Sequence, residues 1–127
     1  MYLTDINFGL LVSEAIDSLP SQYIDNLDNV AVVIENEPTE EQRQKLHLVG
    51  GLTLYGLYEG IPRTKRSGNY SLVLPDKITI FKNPILNNCS DIKQLKHQIA
   101  ETVWHEIAHH YGLDHKRINE LKNKNSN

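Results

Sequence analysis

Residues 91–115 read DIKQLKHQIAETVWHEIAHHYGLDH, and this stretch carries the strongest structural signal in the chain. Asp91 and Gln94 have the spacing of a capping box, which predicts that a helix begins here. Gly112 stands where a residue in the left-handed conformation would end that helix. Between these limits an apolar stripe recurs at helical spacing: Ile92, Leu95, Ile99, Val103, Ile107 and Ala108. The pattern therefore predicts one long helix that ends near residue 111.

The predicted helix carries two histidines four residues apart. His105 and His109 would lie on one helix face about 6 Å apart, a spacing that lets both imidazoles reach one metal ion. Glu106, the residue after His105, would lie close to the metal but on a different side of the helix from the two histidines. This is the position of a general base that takes a proton from water.

His115 is the predicted third metal ligand. If the helix continued past residue 112, His115 would lie about 120° round from His109 and roughly 9 Å further along the axis, too far to share its metal. Gly112 can adopt the backbone conformation that turns the chain back. His115 could then approach the metal from the side.

Three neutral imidazoles suit zinc, and a site with three protein ligands leaves a fourth position for water. Such water is acidified toward neutrality. Glu106 would take its proton, the resulting hydroxide would attack a carbonyl carbon, and the protonated acid would then supply a proton to the leaving amine. The sequence thus predicts hydrolysis of peptide bonds by a zinc-bound water that Glu106 activates, with one Zn²⁺ per chain.

The rest of the chain predicts few further elements. An amphipathic helix is expected over residues 8–19, before Pro20, and strands over residues 29–35 and 77–82. Residues 38–41 predict a helical turn at most, residues 50–68 a glycine-rich loop, residues 116–122 a short helix, and residues 122–127 a frayed tail. We therefore expect an α+β fold, a single domain over residues 1–127, in which a small few-stranded sheet packs against an N-terminal helix and the long helix.

Composition excludes several classes of protein. The chain has 127 residues, a net charge of −3 and one cysteine, Cys89. An acidic balance argues against a nucleic-acid partner, and no apolar run is long enough to span a membrane. The single cysteine and the lack of a visible secretory signal predict a cytoplasmic protein.

The pattern His105-Glu106-x-x-His109-x-x-Gly112-x-x-His115 resembles the extended zinc motif of metzincin-type peptidases. The chain more closely resembles the small bacterial zincin-like metallopeptidases, or minimal zincins, through residues 54–62, 74–81 and 104–110. This resemblance implies a compact zincin core, zinc at His105 and His109, and Glu106 as the base. That family commonly has aspartate at the third ligand position, so Asp114 is the alternative to His115. A methionine turn of the metzincin kind is impossible, because Met1 is the only methionine.

Two other functions remain open at this point. A metal-dependent endoribonuclease with an H-x3-H-x5-H site has the same histidine spacing but carries a small residue where this chain has Glu106. A non-catalytic zinc-binding protein would need a fourth ligand that closes the site. Glu106 and the acidic composition favour the peptidase, with a peptide or a flexible protein segment as substrate. The oligomeric state is not predicted.

Secondary candidates surround this motif. Tyr58 and Tyr70 are possible substrate or oxyanion contacts, although a packing role is the commoner one for a tyrosine. The strand at residues 77–82 is a candidate edge strand on which an extended peptide could pair. Glu101, one turn before His105, is a candidate to orient that imidazole.

Overall fold

The computed structural model describes residues 1–24, 27, 29–45, 54–60 and 76–112. Within them the chain forms five helices and three strands. In chain order these are α1 (Asp5–Asp17), α2 (Ser21–Ile24), β1 (Val30–Glu35), α3 (Glu40–Lys45), β2 (Gly56–Glu59), β3 (Asp76–Phe81), α4 (Lys82–Asn87) and α5 (Ile92–His110). The predicted α+β class is confirmed, while the helix expected at residues 116–122 and the tail at 122–127 lie outside the described residues.

Helix α5 begins and ends where the sequence predicts. The Asp91 side chain accepts a hydrogen bond from the Gln94 backbone N–H at 2.8 Å, and Gln94 Oε1 in turn accepts the Ser90 N–H at 2.9 Å. The first bond satisfies a donor that the first helical turn leaves without a partner, and the second ties the residue before the cap to the same turn. At the other end Gly112 has a φ of 78°, the left-handed conformation that glycine adopts without strain.

The three strands form a sheet in the order β1-β3-β2. β3 pairs in parallel with β1 and antiparallel with β2. The candidate edge-strand role for residues 77–82 is therefore wrong, because β3 is the central strand and its backbone is already paired on both sides. Among the described strands β1 and β2 are the outer ones.

The loop predicted over residues 50–68 is wrong for residues 56–59, which form strand β2. Gly56 and Gly60 flank a short run that reads as a loop by composition, yet residues 56–59 pair with β3. The structure shows why glycine is required. A Cβ at Gly56 would lie 2.7 Å from Thr102 Cγ2 on α5, and one at Gly60 would lie 2.5 Å from Asp76 Cγ. The glycines let β2 lie directly against its neighbours.

The core lies between the sheet and the two longest helices, α1 and α5. Its central members are fully buried apolar side chains: Phe8, Ile78, Ile80, Ile85, Leu95, Ile99, Val103 and Ile107. Each such side chain contributes about 1.5–3 kcal/mol by leaving water. The packing fixes the inner face of α5 against the sheet and so determines how its polar side chains are presented.

The four shorter helices all depart from expectation: α2 was not predicted, and α3 spans six residues where residues 38–41 predict a helical turn at most. α1 starts at Asp5 because Thr4 caps it, its side chain accepting the Asn7 N–H at 3.2 Å. α4 was not predicted, because Pro84 argues against a helix. The proline lies in the first turn, where its missing N–H costs no intrahelical bond. No helix in the described part of the chain is long and apolar enough to cross a membrane.

Candidate metal centre

His105 and His109 converge near the C-terminal end of α5. Their Nε2 atoms lie 3.0 Å apart, and the two rings are nearly perpendicular at an interplanar angle of 77°. Two nitrogens that each bind one zinc ion at about 2.0–2.1 Å can be at most about 4.2 Å apart. The observed separation lies within that limit, so both nitrogens can reach one zinc ion.

The third predicted ligand lies outside the described residues, as does its alternative Asp114. Consequently, no cluster of three or more metal-ligating side chains occurs within the described ranges. The end of α5 is described as far as Gly112, whose N–H donates to the His109 carbonyl at 2.9 Å. This turn and the positive φ of Gly112 end the helix as the sequence predicts, and ligation by His115 stays a prediction.

Glu106 is nearly buried, with 7% of its surface exposed. Burial raises the pKa of its carboxyl group to about 7, because the ionised form loses hydration, and a hydrogen bond from the Tyr58 backbone N–H opposes this rise. A carboxyl group with a pKa near neutrality can both accept and return a proton at physiological pH. A cation at the neighbouring histidines would lower this pKa by favouring the ionised form.

The Tyr58 N–H reaches Glu106 because of the register of the sheet. The Phe81 N–H donates to the Tyr55 carbonyl at 2.8 Å, which makes these two residues a hydrogen-bonded pair. In an antiparallel ladder such pairs alternate with pairs whose N–H and C=O groups point outward. Tyr58, opposite Ile78, is therefore a residue whose amide points away from β3.

A buried polar cluster adjoins this contact and was not predicted. Asp76 Oδ2 accepts the Tyr58 hydroxyl at 2.7 Å and lies 2.8 Å from His110 Nδ1. Asp76 is 4% exposed and His110 is fully buried. Their contact could not be read from sequence because it joins the first residue of β3 to the end of α5. The only local signals are an acid at the start of an apolar strand and a histidine beside the motif.

The remaining candidates have these positions. The Tyr58 hydroxyl donates to Asp76 in this structure. Its role as an oxyanion contact stays a prediction. Tyr70, the other candidate, lies outside the described residues. Glu101 Oε1 lies 3.0 Å from His97 Nε2, one turn before the histidine pair. Trp104, next to His105 in the motif, is buried and packs edge-on against Tyr23, with ring centroids 4.8 Å apart.

The sequence profile of the zincin-like metallopeptidase family matches residues 27–124, which is most of the chain. The fold is similar to that of a solved conserved hypothetical protein from Thermo thermophilus. The TM-score is 0.55 and the sequence identity 23%, with 84% of this chain and 92% of that chain covered. At that identity the likeness supports the fold alone. No curated protein matches the chain. By the extent of the profile match, the chain belongs to the zincin-like metallopeptidase family.

Proposed function

We propose that this protein is a zinc-dependent peptidase that hydrolyses peptides or flexible protein segments. The observation that carries the proposal is that two kinds of functional group lie next to each other on α5. One is a histidine pair whose Nε2 atoms lie 3.0 Å apart. The other is the carboxyl group of Glu106, which is buried and whose pKa is raised to about 7 by that burial. Membership of a metallopeptidase family supports the same reaction class.

His105 and His109 would hold the zinc ion through their neutral imidazoles, with His115 as the third ligand. Zinc, when bound, supplies Lewis-acid polarisation of a carbonyl group and makes water more acidic. Glu106 accepts the proton of the attacking water at its carboxylate. It then returns that proton to the nitrogen of the leaving amine, so that the base ends the cycle ionised.

The Glu106 environment distinguishes this proposal from the two alternatives. An endoribonuclease of the H-x3-H-x5-H type has no use for a carboxylate at this position. In a purely structural zinc protein, a buried ionisable group that does not bind the metal would lower the stability of the fold and serve no purpose there. Glu106 instead meets a backbone N–H from β2, which orients a carboxylate beside the histidine pair.

A cleavage screen tests the proposal. The zinc-loaded protein is incubated with an unstructured protein such as casein, with a peptide library, and with structured and single-stranded RNA. We expect peptide cleavage that a chelator abolishes and that Glu106→Gln lowers by at least about 100-fold, the scale of general-base catalysis. Glu14→Gln, the same change at an exposed position of α1, is the matched control and should leave the rate unaltered.

RNA cleavage without peptide cleavage would overturn the proposal in favour of the nuclease. Zinc binding without cleavage of either polymer would favour the non-catalytic role. Peptide cleavage that survives in Glu106→Gln would refute the assignment of the base.

A further inference from the structure

One residue of strand β2 contacts the predicted active site through its backbone and the adjacent buried cluster through its side chain. The amide N–H of Tyr58 donates to the Glu106 carboxylate, and the hydroxyl group of the same residue donates to Asp76 Oδ2 at 2.7 Å. Tyr58 therefore bridges the proposed general base and the buried cluster of Asp76 and His110. The position of its amide depends on what holds its phenol ring.

The cluster attaches that phenol to two other elements. Asp76 opens β3, and His110 is the last residue of α5, next to the ligand His109. When the Asp76 carboxyl group is ionised, His110 Nδ1 must carry the proton in the 2.8 Å contact. One carboxylate oxygen then joins β2, β3 and α5 in a buried environment, where hydrogen bonds to a charged group are strong.

Such an attachment matters because β2 is a short strand at the margin of the described sheet. It is four residues long and is paired only with β3 in the described sheet. The amides of Gly56 and Tyr58 point away from β3, so they make no bonds to that strand. Gly56 brings the strand to within contact of Glu106 and Thr102, but a glycine has no side chain that could fix the strand there. The Tyr58 phenol supplies this anchor one turn further along α5, where its ring lies 6.0 Å from that of His110.

We propose that Tyr58, Asp76 and His110 are positioning residues that hold the Tyr58 amide against Glu106. The inference rests on the proposed function, because it assigns a role to the carboxylate that the amide orients. With one oxygen held by the amide, the carboxylate is fixed relative to the histidine pair. Loss of the anchor leaves Glu106 and the metal ligands in place but lets the amide move away from the carboxylate.

The test uses Tyr58→Phe, which removes one hydroxyl group and keeps the ring and the amide, and Asp76→Asn as a second variant. Tyr111→Phe is the matched control. Its hydroxyl donates to the Tyr23 carbonyl at 2.7 Å at the same end of α5, without a contact to β2 in that bond. Two-dimensional amide spectra of the zinc-loaded protein give the chemical shift and the hydrogen-exchange rate of residue 58.

We expect residue 58 in Tyr58→Phe to exchange at least about 10-fold faster, with an upfield amide shift, while the Leu57 amide stays within twofold. Tyr111→Phe should change neither. The kcat for peptide hydrolysis should fall about 10-fold in Tyr58→Phe with KM within twofold, since only orientation of the base is lost.

The two readouts separate the two claims. If the wild-type protein cleaves no peptide, the proposed function fails, and the amide measurement still decides whether the anchor exists. An unchanged amide at residue 58 in both variants would overturn the inference. Equal acceleration of all β2 amides would also overturn it, because that result describes general loosening of the strand.

Discussion

Replacement of Glu106 by glutamine should stabilise the zinc-free protein, and only above a defined pH. In the folded chain Glu106 is 7% exposed, and burial raises the pKa of its carboxyl group from 4.5 to about 7. The folded state therefore holds this proton more tightly than the unfolded state does. Glutamine fills the same space, has no charge to desolvate, and can still accept the Tyr58 N–H through its amide oxygen.

The magnitude follows from linkage between protonation and folding. Below about pH 4.5 the carboxyl group is protonated in both states, and the wild type and Glu106→Gln should have similar free energies of unfolding. Between about pH 4.5 and pH 7 the wild type loses about 1.4 kcal/mol per pH unit relative to the variant. Above pH 7 the difference should level off at about 3.5 kcal/mol, with the variant more stable.

Urea unfolding in the presence of a chelator measures this difference at several pH values from about 4.5 to 8. Trp104 is the only tryptophan and is buried, so its fluorescence reports unfolding. Glu14→Gln, at an exposed position, should show no such pH dependence. A difference that stays flat within about 0.5 kcal/mol across this range, or a wild type that is the more stable protein at pH 8, would refute the reasoning.

The remaining predictions concern the packing, the helix cap and the ligand chemistry. Gly56→Ala should cost about 1–3 kcal/mol in thermal or urea unfolding, because its Cβ would lie 2.7 Å from Thr102 Cγ2. Gly9→Ala, within α1, should have the opposite effect. Its added Cβ would meet only Ile34 Cδ1, at 3.7 Å, so the free energy of unfolding should rise by about 0.5–1 kcal/mol. A destabilised Gly9→Ala would contradict the packing described. Asp91→Ala removes the α5 cap and should cost about 1 kcal/mol, whereas an unchanged unfolding midpoint would mean that the cap contributes nothing. Zinc should be released progressively between about pH 7 and pH 5, since protonated imidazoles cannot bind it; full retention after dialysis at pH 5, by metal analysis, would argue against histidine ligation.

Helix α5 could be predicted from the sequence because several independent signals agree. The capping pair at Asp91, the apolar stripe and Gly112 all specify the same limits, and the histidine spacing then requires both imidazoles to share a face. Strands β1 and β3 were predicted because β-branched residues fill them. Each of these signals is local, so it can be recognised without knowledge of the tertiary structure.

Strand β2 and the Asp76 cluster could not be predicted for the opposite reason. Gly56 and Gly60 read as loop residues until the structure shows that α5 and Asp76 leave no room for a Cβ. The contact between Asp76 and His110 joins residues 34 positions apart, and it exists only because β3 starts where α5 ends. Glu106 was predicted as a base from its place in the motif, but its raised pKa depends on burial that the sequence does not specify.

The central claim is that His105 and His109 hold zinc while Glu106 acts on water without binding the metal. Zinc content of purified Glu106→Gln, compared with wild type and His109→Ala, tests it most directly. We expect one zinc ion per chain in the wild type and in Glu106→Gln, and less than about a tenth of that in His109→Ala after dialysis against a weak chelator. Loss of zinc from Glu106→Gln, or full retention by His109→Ala, would contradict the account.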